Sequence, residues 1–134
     1  LFPDAEGRQT SLNGTPEEFE EMMDAMPRDV GGLLDLGHLN ISAAHNGFDK
    51  YAYIDRLLSL YGDRLFEVHL SANNGLKDEH LPVAEGDWQL DVLRLFANCP
   101  GALGQGVNIT LESRNLDHAT LDASCRTIQS RINV

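Results

Sequence analysis

Three short apolar segments alternate along the chain with longer stretches of helical periodicity. The apolar segments cover about residues 31–36, 65–70 and 107–112. In the stretches around them, apolar residues recur every three or four positions, which predicts four helices. These helices are expected at about residues 15–26, 49–61, 87–98 and 117–132. Because parallel strands need long crossover connections, this alternation predicts an α/β fold with about three parallel strands.

Capping residues and prolines sharpen the boundaries of these elements. Thr15, Pro16 and Glu18 form a capping-box pattern at the start of the first helix, and Pro27 ends it. The polar stretches at about residues 39–48 and 71–86 lack a clear apolar period and are predicted to be loops.

The side-chain alternation of the strands predicts two different faces. In the third strand Ile109 and Leu111 share one face, whereas Thr110 and Glu112 share the other. The second strand shows the same separation, with His69 on its polar face. An open sheet covered by helices on both sides is apolar on both faces. One apolar and one polar face instead favour a barrel, whose outer surface packs on helices and whose inner end carries the site.

Composition and charge narrow the classes of function. The chain has 134 residues, 42% of them hydrophobic, which indicates one globular domain with a core. Its formal net charge of −11 and lack of a basic stripe make DNA an unfavourable partner. No apolar run suits a membrane helix, and no signal peptide is visible. Cys99 and Cys125 fit no zinc-knuckle spacing, so we expect reduced thiols in a cytoplasmic protein.

Candidate metal ligands occur where each predicted strand ends. Because the carboxyl ends of parallel strands meet at one edge of a sheet, these side chains should converge there. Imidazole and carboxylate ligands together suit zinc, manganese, iron or cobalt, and carboxylates with water suit magnesium. The candidates are Asp35, His38, His69, Asp78, His80 and Glu112.

Each candidate also has a plain structural interpretation. Asp35 alone could cap a helix, and a lone His69 is more often a hydrogen-bonded core histidine than a ligand. It is the grouping at the same end of three successive strand units that favours a metal site. Arg114 could hold a phosphate or carboxylate, or be a surface arginine. Asn73 could bind substrate hydroxyls, or simply belong to a turn with Asn74 and Gly75.

Several of these residues lie in motifs that resemble those of the xylose-isomerase-like TIM-barrel superfamily. This superfamily contains sugar isomerases, 3-epimerases, inosose dehydratase-type enzymes and endonuclease IV. The similarity extends over about residues 15–130 and is more specific for the superfamily than for any member. The motifs are Asp35-Leu36-Gly37-His38, Glu67-Val68-His69-Leu70-Ser71, Lys77-Asp78-Glu79-His80-Leu81-Pro82-Val83 with Glu85-Gly86, and Ile109-Thr110-Leu111-Glu112.

The resemblance implies a metal site and a partial barrel. It assigns metal ligation to Asp35, His38, His69, Asp78, His80 and Glu112. A complete barrel needs about 250 residues, so residues 1–134 are expected to form the carboxy-terminal half of a (β/α)8 barrel, a single part-domain without its amino-terminal half. Residues Leu1-Phe2-Pro3-Asp4 resemble the loop that leaves a barrel strand, so a strand with a catalytic or ligating Glu is expected just before Leu1. The chain would then be a fragment or one chain of a split barrel.

The leading functional hypothesis is a divalent-metal-dependent isomerase or epimerase of a small sugar or sugar derivative. Zinc, manganese, magnesium or cobalt could be the cofactor. Glu112 would be a ligand and a base, and His69 and His38 would bind metal or substrate oxygen. A second hypothesis is an endonuclease IV-like phosphodiesterase acting on abasic DNA. A third is an inactive half barrel that only associates, either with the missing half or with a second copy.

Overall fold

The structure, a computed structural model, describes residues 14–101, 104 and 106–132. The chain is α/β, and its strands form a parallel sheet in the order β1-β2-β3. Among the described residues, no helix is long and apolar enough to cross a membrane. The elements are α1 (Pro16–Ala25), β1 (Gly32–Asp35), α2 (Leu36–Asn46), α3 (Lys50–Tyr61), a 3-10 turn (Gly62–Arg64), β2 (Leu65–Leu70), α4 (Gln89–Ala97), β3 (Asn108–Leu111) and α5 (His118–Ile132).

The predicted first helix forms with its capping box. Thr15 Oγ1 accepts a hydrogen bond from the Glu18 backbone N–H, and the Glu18 carboxylate accepts one from the Thr15 N–H. Phe19 and Met23 form its buried stripe. Buried Arg64 then fixes the end of the helix, because its guanidinium donates to the carbonyl oxygens of Met23, Pro27 and Val30.

The prediction of a loop at residues 39–48 was wrong, and so was the count of four helices. Residues Leu36–Asn46 form α2, which follows β1 without any intervening loop, and the described residues hold five α-helices. Asp35 caps α2, and Leu36, Leu39 and Ile41 are buried along it. Because α2 is buried on several sides, its sequence lacks the single apolar stripe by which a surface helix is recognised.

Each of the three strands places an apolar side chain in the core. Leu34 lies beside Val68, and Val68 lies beside Ile109. Leu34 and Val68 belong to one core cluster with Ile54 of α3 and Leu93 of α4. This face of the sheet is therefore the outer wall on which the helices pack.

The opposite face carries the polar side chains that the alternation predicted. Asp35 pairs in register with His69, and His69 with Thr110. Leu33 begins this face on β1 and is 46% exposed, since no described element covers it. The sheet thus has one face buried by helices and one face on which ionisable side chains gather toward the carboxyl ends of the strands.

Candidate metal centre

Asp35 lies at the junction where β1 becomes α2. Its Oδ1 accepts a hydrogen bond from the backbone N–H of His38 at 2.9 Å, which caps the helix. Its Oδ2 lies 3.0 Å from His38 Nδ1. The capping role and the ion-pair role therefore use different oxygens of the same carboxylate, and the cap holds the His38 backbone beside the strand end.

Gly37 lets the first turn of α2 approach the end of β2. A Cβ added at Gly37 would lie 2.3 Å from Ser71 Oγ, which is a severe overlap. Asn73 reinforces this contact, because its Nδ2 donates to the Gly37 carbonyl oxygen at 2.8 Å. The Asn73 Oδ1 accepts from Gly75 N–H and from the side chain of Asn40. The start of α2 is thus tied to the segment that follows β2.

His69 lies between two carboxylates on the polar face. Its Nδ1 is 3.3 Å from Glu112 Oε2, and its Nε2 is 3.3 Å from Glu67 Oε1. Thr110 Oγ1 donates a hydrogen bond to the same Glu67 oxygen. A neutral imidazole donates only one hydrogen bond, so Glu67 can hold Nε2–H and leave the Nδ1 lone pair facing Glu112. Metal-binding histidines commonly have this arrangement.

Ligand atoms of Asp35, His69 and Glu112 all lie within 4.8 Å of one another. Two parallel pairings produce this convergence. Asp35 and His69 are direct partners across β1 and β2, and the Glu112 N–H donates to the Leu70 carbonyl oxygen at 2.8 Å just beyond β3. We refer to Asp35, His69 and Glu112 as the strand-end cluster.

A second group of ligands combines two residues of the loop after β2 with His38 of α2. Ala72 and Leu81 form an antiparallel bridge that folds this loop back over the strand ends. His38, Asp78 and His80 then present ligand atoms within 4.8 Å of one another, and we refer to them as the loop cluster. His80 is buried and has a φ of 51°, a value that is uncommon for residues other than glycine. Such backbone strain is typical of functional sites.

The hydrogen bonds of His80 fit a bound cation. Its Nδ1 lies 2.8 Å from the Glu112 carbonyl oxygen, which can only accept, so Nδ1 carries the hydrogen. The neutral ring then presents the Nε2 lone pair to Asp78 Oδ2 at 3.0 Å. Two acceptors face each other there, and a proton or a metal ion between them resolves the repulsion. The second oxygen, Asp78 Oδ1, is buried and accepts no hydrogen bond from the described residues, with His38 Nε2 at 3.5 Å.

The ionisation of the junction residues favours charge at both. Burial raises the pKa of Asp35, but hydrogen bonds from the side chain and backbone of His38 outweigh burial and hold the pKa below its usual range. The hydrogen bond to Asp35 raises the pKa of His38, and burial only partly opposes it. An Asp35 carboxylate and a protonated His38 therefore stabilise each other when no metal ion is bound.

One cavity of about 680 Å³ joins both clusters to the open edge of β1. All six predicted ligands line it, as does Arg114, and its other end is apolar, with Met22, Met26 and Leu33. Asn73 does not line the cavity, because its amide is engaged with Gly37, Asn40 and Gly75. The predicted role of Asn73 in substrate binding stays a prediction.

The structure brings the six predicted ligands together, and it divides them into two groups of three. The prediction did not include Glu67, although its position two residues before His69 puts both side chains on one face. The donor set of three imidazoles and three carboxylates suits zinc, manganese or cobalt. The roles of these residues as ligands stay predictions.

Comparison with known proteins leaves the family of this chain open. No family model matches it, and no solved structure matches it. It is similar to the uncharacterized protein MJ1311 of Methanocaldococcus jannaschii, with 28% identity over 110 residues, or 81% of the chain. The chain spans 34% of the length of that relative.

Proposed function

We propose that this chain is the carboxy-terminal part of a (β/α)8 barrel that isomerises or epimerises a small sugar or sugar derivative with a divalent metal ion. The observation that carries the proposal is the convergence of the strand-end cluster from three parallel strands onto one polar face. The strand order β1-β2-β3 follows the chain, as in a barrel, and Leu34 and Val68 share a core cluster with Ile54 of α3 and Leu93 of α4. Both features support a partial barrel.

The strand-end cluster would hold the ion through Asp35, His69 and Glu112. A divalent ion at this place polarises carbonyl and hydroxyl oxygens of a bound substrate. Glu112 is 37% exposed at its side chain, so one carboxylate oxygen can serve as a ligand while the other reaches a substrate. That second oxygen would take up a proton from the carbon next to a carbonyl group. A second base would come from a glutamate on the other part of the barrel.

The supporting residues orient these groups. Glu67 holds Nε2 of His69, which aims Nδ1 at the ion. The loop cluster lies at the carboxyl end of the strands, where His38 would bind metal or a substrate oxygen. The cavity has the size of a small-molecule site, which favours a sugar-sized substrate.

Measurements of metal content and turnover, made on the protein with its full natural sequence, test the proposal. Purified protein loaded with zinc, manganese or cobalt is assayed against a panel of ketoses and aldoses, with His69→Ala and Glu112→Gln beside wild type. His45→Ala is the matched control, because His45 is exposed near the end of α2 and outside the cavity lining. We expect both site variants to lose turnover and His69→Ala to lose metal. Unchanged metal content in folded His69→Ala and Glu112→Gln proteins would contradict the ligand assignment.

A metal-dependent phosphodiesterase is the second candidate, and the loop cluster favours it. The strand-end cluster and the loop cluster meet where Asp35 Oδ2 lies 3.0 Å from His38 Nδ1, so the site could hold more than one ion. Paired ions suit phosphate ester hydrolysis. The net charge of −11 opposes binding to DNA. Two or more ions per chain, together with cleavage of abasic-site DNA, would select this candidate over the isomerase.

Association through the sheet edges is the third candidate. In the described residues β1 and β3 each pair on one side only, and exposed Leu33 lies on the uncovered face of β1. Unpaired edges of this kind bind further strands. We therefore expect the chain by itself to form a dimer or larger assembly in sedimentation velocity. A monodisperse monomer with full turnover on a sugar would contradict this expectation.

A further inference from the structure

Three carboxylates line the cavity, those of Asp35, Asp78 and Glu112, together with one arginine, Arg114. Each acidic side chain of the two clusters already has a histidine partner. Asp35 contacts His38, and Glu112 contacts His69. Asp78 contacts His80. These three carboxylates are therefore already paired with histidines and do not need Arg114 as a partner.

Four other cations of the described residues have partners outside the two clusters. Their contacts are Arg56 with Glu20, Arg131 with Glu85, Arg64 with three backbone carbonyls, and Lys50 with Asn40 and the Trp88 ring. Arg114 differs in its position, because of the described arginines and lysines it alone lines the cavity. Its guanidinium makes no hydrogen bond or ion pair with the described residues, so it can bind a ligand there.

The backbone of Arg114 is fixed beside the loop cluster. Its N–H donates to the His80 carbonyl oxygen at 2.9 Å, and the neighbouring Ser113 hydroxyl donates to the Leu81 carbonyl oxygen at 3.0 Å. The start of the side chain is thus held next to His80 while its end is exposed. A guanidinium placed in this way at a cavity wall is suited to bidentate contact with a planar or tetrahedral anion.

We propose that Arg114 binds an anionic oxygen group of the substrate, a phosphate or a carboxylate, in the cavity that holds the two ligand clusters. This inference rests on the proposed function, because it takes that cavity as the substrate site. The substrate class becomes sugar phosphates or sugar acids instead of neutral sugars. The overall charge of −11 repels anions, so binding of such a substrate depends on local positive charge, to which Arg114 contributes beside the proposed metal ion.

The test measures binding of inorganic phosphate and of matched sugars by calorimetry. Metal-loaded wild type is compared with Arg114→Gln, with Arg114→Lys, and with Arg126→Gln as the control. Arg126 is exposed on α5 and lies outside the cavity lining, so its substitution changes the net charge equally. The ligands are a neutral sugar, its phosphate ester and its carboxylic acid, which distinguish the two anion sources. Metal content is measured for every variant.

We expect Arg114→Gln to weaken phosphate binding by about tenfold or more, the usual effect of losing a charge-assisted hydrogen-bond pair. Arg126→Gln should change it by less than about twofold, because a distant exposed charge is screened by salt. Arg114→Lys keeps the positive charge but loses the two parallel N–H donors of the guanidinium, so its phosphate affinity should lie between those of wild type and Arg114→Gln. The preferred sugar should be the anionic member of its set, and Arg114→Gln should remove that preference.

Three results would overturn the inference. They are equal phosphate affinity in wild type and Arg114→Gln, an equal loss in Arg126→Gln, and preference of the wild type for the neutral sugar. Tight Arg114-dependent binding of abasic DNA would also overturn it in favour of a polymeric substrate. Different results would contradict the proposed function. Loss of metal from His69→Ala tests the metal site, and Arg114-dependent anion binding without any isomerisation would reject the reaction while keeping the anion site.

Discussion

Asp35 has two roles that can be separated by substitution. One oxygen caps α2 by accepting from the His38 N–H at 2.9 Å, and the carboxylate as a whole belongs to the strand-end cluster. Asp35→Asn keeps a side-chain oxygen that can cap the helix but removes the negative charge that makes a carboxylate a strong metal ligand. Asp35→Ala removes both. The two variants should therefore differ in stability when metal is absent, and both should gain little stability when metal is added.

The expected magnitudes follow from these contacts. Loss of a helix cap costs about 1 kcal/mol, so in chelator Asp35→Ala should be less stable than Asp35→Asn by about that amount. A metal ion at 100 times its dissociation constant stabilises the folded protein by about 2.7 kcal/mol. Wild type should show this gain when zinc or manganese is added. Both Asp35 variants should lose most of it.

The assay is urea unfolding followed by circular dichroism, with chelator and with saturating metal. Asp49 provides the control, since its Oδ1 caps α3 by accepting from Tyr51 and Ala52 N–H and it lies in neither cluster. Asp49→Ala should lose cap stability yet keep the full metal-dependent gain. If folded Asp35→Asn keeps the wild-type gain, Asp35 is not a ligand. If Asp35→Ala matches Asp35→Asn in chelator, the cap contributes nothing measurable.

Three further predictions concern residues around the clusters. In chelator, His38 should make the protein more stable than His38→Gln below the ordinary histidine pKa of 6.5, and this difference should decline as pH rises through the raised pKa of folded His38. Urea unfolding at pH 6 and pH 9 measures the difference in free energy of unfolding, and a larger difference at pH 9 would refute the prediction. Gly37→Ala should destabilise by about 1–3 kcal/mol through overlap with Ser71 Oγ, and Ser71→Ala should restore part of this in thermal melts; no rescue would contradict the clash. Glu67→Gln should weaken metal binding by about 10–100-fold because it no longer orients His69, which a competing chelator measures; unchanged affinity would show that Glu67 does not act through this histidine.

Local signals identified the elements whose stability depends on near neighbours. The capping box of Thr15 and Glu18 and the stop at Pro27 located α1, because these contacts lie within one helical turn. The second strand occurs at Leu65–Leu70, as its apolar run predicted. The parallel α/β arrangement is confirmed, since short buried strands separated by helices have few other ways to pair.

Helix α2 was missed because its stability comes from distant contacts. Its sequence contains Gly37, Asn40 and Asn46, which are poor helix formers. Its residues are buried against β1, β2 and α3 in the folded chain, so no polar stripe marks an outer face. The Asp35 cap was considered only as an alternative, and it proved to coexist with the ion pair to His38.

For the candidate site, the sequence by itself determined which residue types arrive at the carboxyl ends of the strands and on which face they lie. Strand alternation fixes this, since neighbouring side chains point to opposite sides. Only the tertiary structure decided their grouping. The parallel register places Asp35 beside His69, and the bridge from Ala72 to Leu81 folds Asp78 and His80 back toward His38. Register and loop closure depend on packing between segments far apart in the chain, and periodicity within one segment carries no information about such packing.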